Sequence, residues 1–285
     1  MTHTCKKYPW HQLPSKPPSG PESRRIYIGS ETCEHAMPPY HKAMRYCQQQ
    51  MELGRRITIL TSLLSTDALQ TLLRLIKGLS AQHAELEIIC NDWGLIHAVH
   101  SRFDCTLIAG RLLAMQRSDP RFALFNRTER QRRLERSVPH LDGADVRLEY
   151  KPPSPELLRH LRQSPLDAPG TLDLLRTRGI NRLEVSNLLQ GIEMASSPGW
   201  RVSLHLPEVI IAVSRKCPQM RKRCSSAVAP ACATRVEQVA RKDFPVPLYH
   251  AQNAWFYDNP DMPVDLPGLG IDRIVRRMHK EPASP

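Results

Sequence analysis

Long apolar runs are missing from this sequence: no stretch approaches the roughly 18 residues that a transmembrane helix needs, so we expect no membrane span. Residues 1–25 also lack the apolar core of a signal peptide, which predicts a cytoplasmic protein. No Ser/His/Asp or His-Glu-x-x-His constellation is present, so nothing supports a peptidase. The 285 residues, of which 41% are hydrophobic and 24% charged, exclude wholesale disorder and allow one large domain or two small ones.

Aromatic residues are also scarce, at 6% of the chain, and they form no stacking motif for nucleic-acid bases. Positive charge is abundant instead, because 40 Lys and Arg against 28 Asp and Glu give a formal net charge of +12. Residues 126–136 form a charged helix candidate whose Arg and Glu side chains can pair along one face. The positive charge therefore has two interpretations, a solvated surface or a surface for RNA or another anionic substrate.

Short apolar strands alternate with helical patterns along the chain, which is typical of βα units and a parallel sheet. The predicted strands cover residues 25–28, 56–60, 86–90, 106–109, 181–185, 201–205 and 209–213, with 147–150 as an eighth candidate. The predicted helices cover residues 38–53, 65–79, 93–100 and 156–163. The pattern predicts an α/β fold, a (β/α)8-type barrel. A doubly wound open sheet is the alternative, weakened because no Gly-x-Gly-x-x-Gly follows the first strand.

Pro-rich segments at both ends of the sequence set the predicted domain boundaries. We expect a flexible leader over residues 1–23, a barrel domain over residues 24–258 that carries a group of cysteines, and a C-terminal tail over residues 259–285.

Polar residues follow several of the predicted strands, and in such a barrel the chemistry gathers at the carboxyl ends of the strands. Our candidate catalytic residues are Glu31, Asn91, Asp92, Arg111 and Arg215. Asp92 either orients a substrate or acts as a base, or it caps the helix that begins at Trp93. Arg111 and Arg215 either clamp a carboxylate substrate or pair with Glu31 or Asp92.

The eight cysteines divide into two groups. Cys47, Cys90 and Cys105 lie in or beside apolar patterns and are interpreted as packing residues, and Cys5 falls in the predicted leader and is given no role. The other four are Cys33, Cys217, Cys224 and Cys232.

Cys217, Cys224 and Cys232 lie within 16 residues that have almost no apolar periodicity, so core packing does not explain them. Their C-x6-C-x7-C spacing is too wide for a zinc-ribbon knuckle but suits an iron–sulfur cluster, although surface thiols without a function remain the alternative. Cys33 follows the first predicted strand and Cys217 follows the last one. Those two strands would be neighbours in a closed barrel, so we expect the four thiols to converge.

These residues carry a family resemblance. The segment Arg25–Cys33, the strand that ends in Asn91 and Asp92, and the segment Ser214–Cys217 with its trailing cysteines resemble the collagenase-like peptidase family of bacteria, the U-thirty-two group. The resemblance spans residues 25–258 and is to the UbiV-like short form of the ubiquinone biosynthesis proteins.

The resemblance implies a barrel-like fold and a [4Fe–4S] cluster on Cys33, Cys217, Cys224 and Cys232. It also implies oxygen-independent hydroxylation of a ubiquinone-type ring or a related substrate, carried out with a UbiU-like partner as a heterodimer. Members of this family also act on RNA bases. The alternative within the family is therefore a basic RNA-binding or RNA-modifying accessory protein, and the substrate class is either a small molecule or RNA.

Overall fold

The structure is a computed structural model that describes residues 2–8, 24–83, 85–124, 136–139, 145–148, 153–194, 199–215, 236–239 and 244–277. Its strands, in chain order, are β1 His3–Tyr8, β2 Arg25–Gly29, β3 Arg56–Leu60, β4 Glu87–Cys90, β5 Thr106–Ala109, β6 Arg136–Pro139, β7 Asp145–Leu148, β8 Arg182–Ser186, β9 Arg201–Leu206, β10 Glu208–Val213, β11 Val236–Val239, β12 Leu248–Ala251, β13 Ala254–Asp258 and β14 Ile271–Arg277. Its α-helices are α1 Tyr40–Glu52, α2 Thr66–Ser80, α3 Trp93–Val99, α4 Arg111–Ala114, α5 Pro155–Arg162 and α6 Pro169–Thr177.

Eight strands close into a parallel barrel in the order β1-β14-β9-β8-β5-β4-β3-β2. Helices lie between most consecutive strands from β2 to β8, so the predicted (β/α)8-type barrel is confirmed. Within the described residues, no helix is long and apolar enough to cross a membrane.

The first half of the barrel follows its sequence pattern closely. The side chain of Ser65 caps α2 by accepting a hydrogen bond from the backbone nitrogen of Ala68, and the leucine stripe of this helix is buried against the barrel. Strands β2 to β5 and helices α1 to α3 all lie within two residues of their predicted boundaries. In this half of the chain, apolar residues recur with period 2 in the strands and period 3.6 in the helices, and these periods predict the secondary structure correctly.

Two barrel strands lie in the segments that were predicted as the flexible leader and the C-terminal tail. Strand β1 pairs in parallel with both β2 and β14, so residues 3–8 belong to the barrel and the prediction of a leader over residues 1–23 is wrong for them. Strand β14 likewise lies inside the predicted tail, 259–285. The barrel therefore extends beyond residues 24–258, because β2 and β9 each need a neighbour for closure and only the terminal strands provide one.

Two segments predicted as barrel strands belong to other sheets. Strand β10 lies in a four-stranded antiparallel sheet of order β10-β13-β12-β11, and β7 pairs with β6 in a two-stranded sheet. Only Pro207 separates β9 from β10, whereas neighbouring parallel strands need a crossover of a dozen or more residues. The helix predicted over residues 126–136 lies almost wholly outside the described residues, and Arg136 begins β6.

The barrel interior is partly apolar and partly charged. Its apolar layer is contributed by six strands, with one side chain from each: Cys5, Tyr27, Leu60, Ile89, Ile108 and Val275. Since these strands surround the barrel, their side chains can meet only in its centre. Charged and polar side chains lie on both sides of this layer, and those at the carboxyl ends of the strands form the candidate site.

Candidate functional site

Five charged side chains meet at the carboxyl ends of the barrel strands, and we call them the mouth cluster: Lys7, Glu31, Arg111, Glu208 and Arg277. They come from the ends of β1 and β14, the loop after β2, the first turn of α4 and the start of β10. Because Glu208 begins β10, the antiparallel sheet lies against the mouth of the barrel.

Arg111 is the centre of the mouth cluster, and its side chain is only 1% exposed. Its Nε and Nη2 donate to the two carboxylate oxygens of Glu31 at 3.0 and 2.5 Å. The remaining donors reach the side chain of Glu208 at 3.1 Å, the carbonyl oxygen of Glu208 at 2.8 Å and the hydroxyl of Ser186 at 3.3 Å. All five guanidinium N–H groups are thereby used, so Arg111 is a structural ion-pair residue and has no donor left to clamp a substrate.

Lys7 and Arg277 complete the ion pairs from the other side. The ammonium group of Lys7 donates to Glu31 and, at 3.4 Å, to Glu208. The guanidinium of Arg277 donates to the second carboxylate oxygen of Glu208. Three cations therefore face two carboxylates, which leaves one net positive charge.

The ionisation of the mouth cluster follows from these contacts. Burial opposes the charged form of Glu31, but the charges of Arg111 and Lys7 outweigh it and hold the pKa of Glu31 well below its usual value. The pKa of Glu208 is lowered against the same burial by Arg277, Lys7 and Arg111. The pKa of Arg111 is raised by Glu31 and Glu208 in spite of its own burial. Glu31, Glu208 and Arg111 are therefore charged at neutral pH.

A second polar network lies deeper in the barrel. The phenol of Tyr27 donates to Glu184 at 3.1 Å, and the other oxygen of Glu184 lies 2.5 Å from Nε2 of His205. Arg273 donates to the Tyr27 hydroxyl at 2.7 Å and to Glu87 at 2.8 and 3.0 Å. Burial and the charge of Arg111 lower the pKa of His205, so the ring is neutral at physiological pH.

A small open cavity of about 40 Å³ adjoins the mouth cluster. Lys7, Glu31, Glu208 and Arg277 line one part of it. Its remaining lining comes from the β2 loop and the antiparallel sheet and includes Ser30, Thr32, Gln252 and the ring of Phe256. The hydroxyls of Ser30 and Thr32 donate to the side-chain oxygen of Gln252 at 3.2 and 2.5 Å, which joins the loop to the sheet.

Asn91 and Asp92 both serve the framework. The Asn91 amide donates to the carbonyl oxygen of Thr61 at 2.5 Å and accepts from the backbone nitrogen of Leu112 at 2.9 Å. A Cβ on Gly110 would lie 2.2 Å from the Asn91 oxygen, so this close contact requires a glycine. Asp92 caps α3 by accepting from the backbone nitrogen of Leu95 at 2.7 Å, which is the capping alternative considered for it.

Cys33 is half-buried in the loop after β2, and its backbone nitrogen donates to the Ser30 hydroxyl at 3.1 Å. Cys217, Cys224 and Cys232 lie outside the described residues, and so the convergence of the four thiols stays a prediction. Among the residues that are described, no group of three or more His, Cys, Asp or Glu side chains is arranged to hold a metal ion.

The premise for that convergence needs a correction. Cys33 was expected near Cys217 because the strands before them would be neighbours, but β2 adjoins β1 and β3 while β10 lies in the other sheet. The loop that carries Cys33 and the end of β10 are instead connected through the turn between β12 and β13. Ser214 exchanges two hydrogen bonds with Asn253, one of 2.9 Å to its carbonyl oxygen, and the adjacent Gln252 holds the Cys33 loop.

The remaining sequence candidates are placed as follows. Arg215 is exposed, next to Ser214. Cys47 and Cys90 are fully buried, as expected for packing residues, and burial raises the pKa of the Cys47 thiol to about 12. Cys5 is corrected: it lies inside the barrel, where burial raises its pKa to about 11.

Sequence reasoning missed Lys7, Glu184, Glu208 and Arg277. Glu184 had a signal, because a carboxylate flanked by Leu183 and Val185 in a buried strand must have a partner. Lys7 and Arg277 had none, because β1 has only two apolar residues of six and β14 combines three apolar residues with four charged ones in no clear alternation.

Comparison with protein-family models, with curated proteins and with solved structures finds no match for this chain.

Proposed function

We propose that this chain is an iron–sulfur protein of the UbiV-like kind, which takes part in oxygen-independent hydroxylation of a ubiquinone-type ring or a related substrate. In this proposal Cys33, Cys217, Cys224 and Cys232 hold a [4Fe–4S] cluster, and a UbiU-like protein is the partner subunit. Four cysteine thiolates are the donor set that such clusters take, and a bound cluster supplies one-electron transfer.

One observation carries the proposal. Ser214, three residues before Cys217, is hydrogen-bonded to Asn253, and the neighbouring Gln252 accepts hydrogen bonds from Ser30 and Thr32 beside Cys33. The described segment that ends at Arg215 is therefore connected to the Cys33 loop through Asn253 and Gln252. That arrangement supports ligands that are far apart in sequence but near in space.

The residues of the chain have definable tasks under this proposal. The Ser30 hydroxyl accepts from the backbone nitrogens of Thr32 and Cys33 at 3.4 and 3.1 Å, so it fixes the turn that presents Cys33. The bidentate pair of Glu31 with Arg111 anchors the same turn to the barrel. The adjoining cavity is small and open and admits one polar group of a substrate beside this turn, at the barrel end where such folds carry their active sites.

Anaerobic purification tests the proposal through iron and sulfide content and the visible spectrum. We expect about four irons per chain in the native protein and loss of iron and colour in both Cys33→Ala and Cys217→Ala. Cys105→Ala is the matched control, because this thiol is also half-buried but lies before β5 and should leave the iron content unchanged. A native protein that stays iron-free after anaerobic reconstitution would falsify the proposal.

The net charge of +12 supports a second candidate, a basic RNA-binding or RNA-modifying accessory protein. Binding of a transfer RNA should then weaken steeply as salt rises, because each neutralised phosphate releases counterions. An iron-free protein with such salt-dependent binding would favour this candidate over the first. Iron in the protein and no retention of RNA would exclude it.

A further inference from the structure

Lys7 and Arg277 are the two cations of the mouth cluster that reach the cavity. They are register partners on the neighbouring parallel strands β1 and β14, so their side chains leave the barrel wall at the same level and on the same face. Their side chains are 10% and 17% exposed, whereas those of Arg111 and Glu31 are 1% exposed. A molecule in the cavity therefore meets Lys7 and Arg277, together with the carboxylates of Glu31 and Glu208, but not Arg111.

The mouth cluster carries one positive charge more than its own carboxylates neutralise. Glu208 is already counted among those carboxylates, and its cations lower its pKa in spite of burial. The pKa of His205 is lowered first by burial and then by Arg111, so this ring adds no negative charge to the site. An unbalanced buried charge is costly, and a bound anion would offset that cost.

We propose that the barrel mouth binds a small anion, a carboxylate or a phosphate group, between Lys7 and Arg277. The cavity is open to solvent and has a volume of about 40 Å³, which is room for a few water molecules or for one anionic group of a ligand. Hydroxyl and amide groups of Ser30, Thr32 and Gln252 line the wall next to the cations, and Phe256 provides an apolar surface for the rest of the ligand. The excess of a single charge favours a ligand with one or two negative charges over a polyanion.

This inference names the charge of the molecule that enters the barrel mouth. It rests on the proposed function for the identity of the reaction. It replaces the carboxylate clamp expected of Arg111 and Arg215. Arg111 has no free donor, and Arg215 is exposed and is not among the residues that line the cavity. The charges that support it come from the barrel strands and the segments beside them, so anion binding can be measured on protein without iron.

Isothermal titration at constant ionic strength tests the proposal with three probes: malonate, inorganic phosphate and uncharged malonamide. We expect malonate or phosphate to bind and malonamide not to bind, and the tighter of the two anions identifies the ligand as a carboxylate or a phosphate. Arg277→Met should weaken that binding about tenfold, which corresponds to ~1.4 kcal/mol. Arg276→Met is the matched control, since it removes the same charge from an exposed position on the same strand.

A second variant is expected to tighten anion binding, which a misfolded protein would not do. Glu208→Gln removes a carboxylate from the mouth cluster, raises its net charge and should tighten anion binding severalfold. The proposal is overturned if neither anion binds more tightly than malonamide, or if Arg276→Met and Arg277→Met weaken binding equally. Iron content is determined separately in every preparation, so failure of the anion site is distinguishable from failure of the iron–sulfur proposal.

Discussion

Arg111 shows how one residue can be identified from sequence while its role is left open. Its place after β5 predicts a position at the barrel mouth, and pairing with Glu31 was one of its two interpretations. The structure decides for the pair because all five donors are used. Glu208 could not be inferred as the second partner, since the sequence does not show that β10 starts at the barrel mouth.

Replacing Arg111 should therefore destabilise the fold strongly. In Arg111→Met, Glu31 loses both hydrogen bonds of its bidentate pair and Glu208 loses one of its cations, although Lys7 still contacts both carboxylates; breaking such a buried pair costs about 3–5 kcal/mol. Arg102→Met is the control: this exposed arginine makes one hydrogen bond, to the Ala98 carbonyl oxygen, and its loss should cost no more than about 0.5 kcal/mol. Urea unfolding followed by circular dichroism measures both. A loss below about 1 kcal/mol for Arg111→Met would show that the pair is as weak as a surface ion pair.

At the scale of elements, the sequence predicts the secondary structure better than the membership of sheets. Strand β10 was recognised as a strand, yet it was assigned to the barrel because periodicity does not reveal which neighbour a strand will have. The one-residue connection through Pro207 was the available signal against a parallel pair. Strand β1 was missed because only Cys5 and Tyr8 among its six residues are apolar, and Pro-rich sequence follows.

The assignment of β1 to the barrel leads to a mutational test. Tyr8 is 5% exposed and packs in the cluster between strands and helices, so Tyr8→Ala should cost about 3–5 kcal/mol of unfolding free energy. His3 is exposed at the start of the same strand, and His3→Ala should stay within about 0.5 kcal/mol. Thermal and urea unfolding of the two variants give the comparison. If both substitutions cost equally little, residues 3–8 do not contribute to the barrel and the prediction of a flexible leader is correct.

At the scale of the whole molecule, the barrel is closed by the two ends of the chain. The strands β1 and β14 lie side by side, and each brings a cation to the mouth and one residue to the apolar layer. The mouth cluster can therefore assemble only when the barrel closes, because Lys7 and Arg277 are not in place until β1 and β14 pair. Local periodicity cannot predict a site of this kind, since the site depends on contacts between residues more than 200 positions apart.

Closure by buried ion pairs predicts that the molecule loses stability in acid, in two steps. The pKa of His205 is lowered by burial and Arg111, so below about pH 6.5 the unfolded chain binds a proton that the folded chain does not, and stability falls. Glu87 is buried, but Arg273 lowers its pKa, so a second loss follows as pH drops below about 4.3 and the unfolded glutamate is protonated first. Urea midpoints measured from pH 7.5 to 3.5 should decline in both windows. His205→Gln should reduce the upper decline and leave the lower one unchanged. Glu87→Gln should reduce the lower decline only in part, because the pKa values of Glu31 and Glu208 are lowered as well. A wild-type midpoint that stays constant between pH 7 and 5 would show that His205 is not held neutral by the fold.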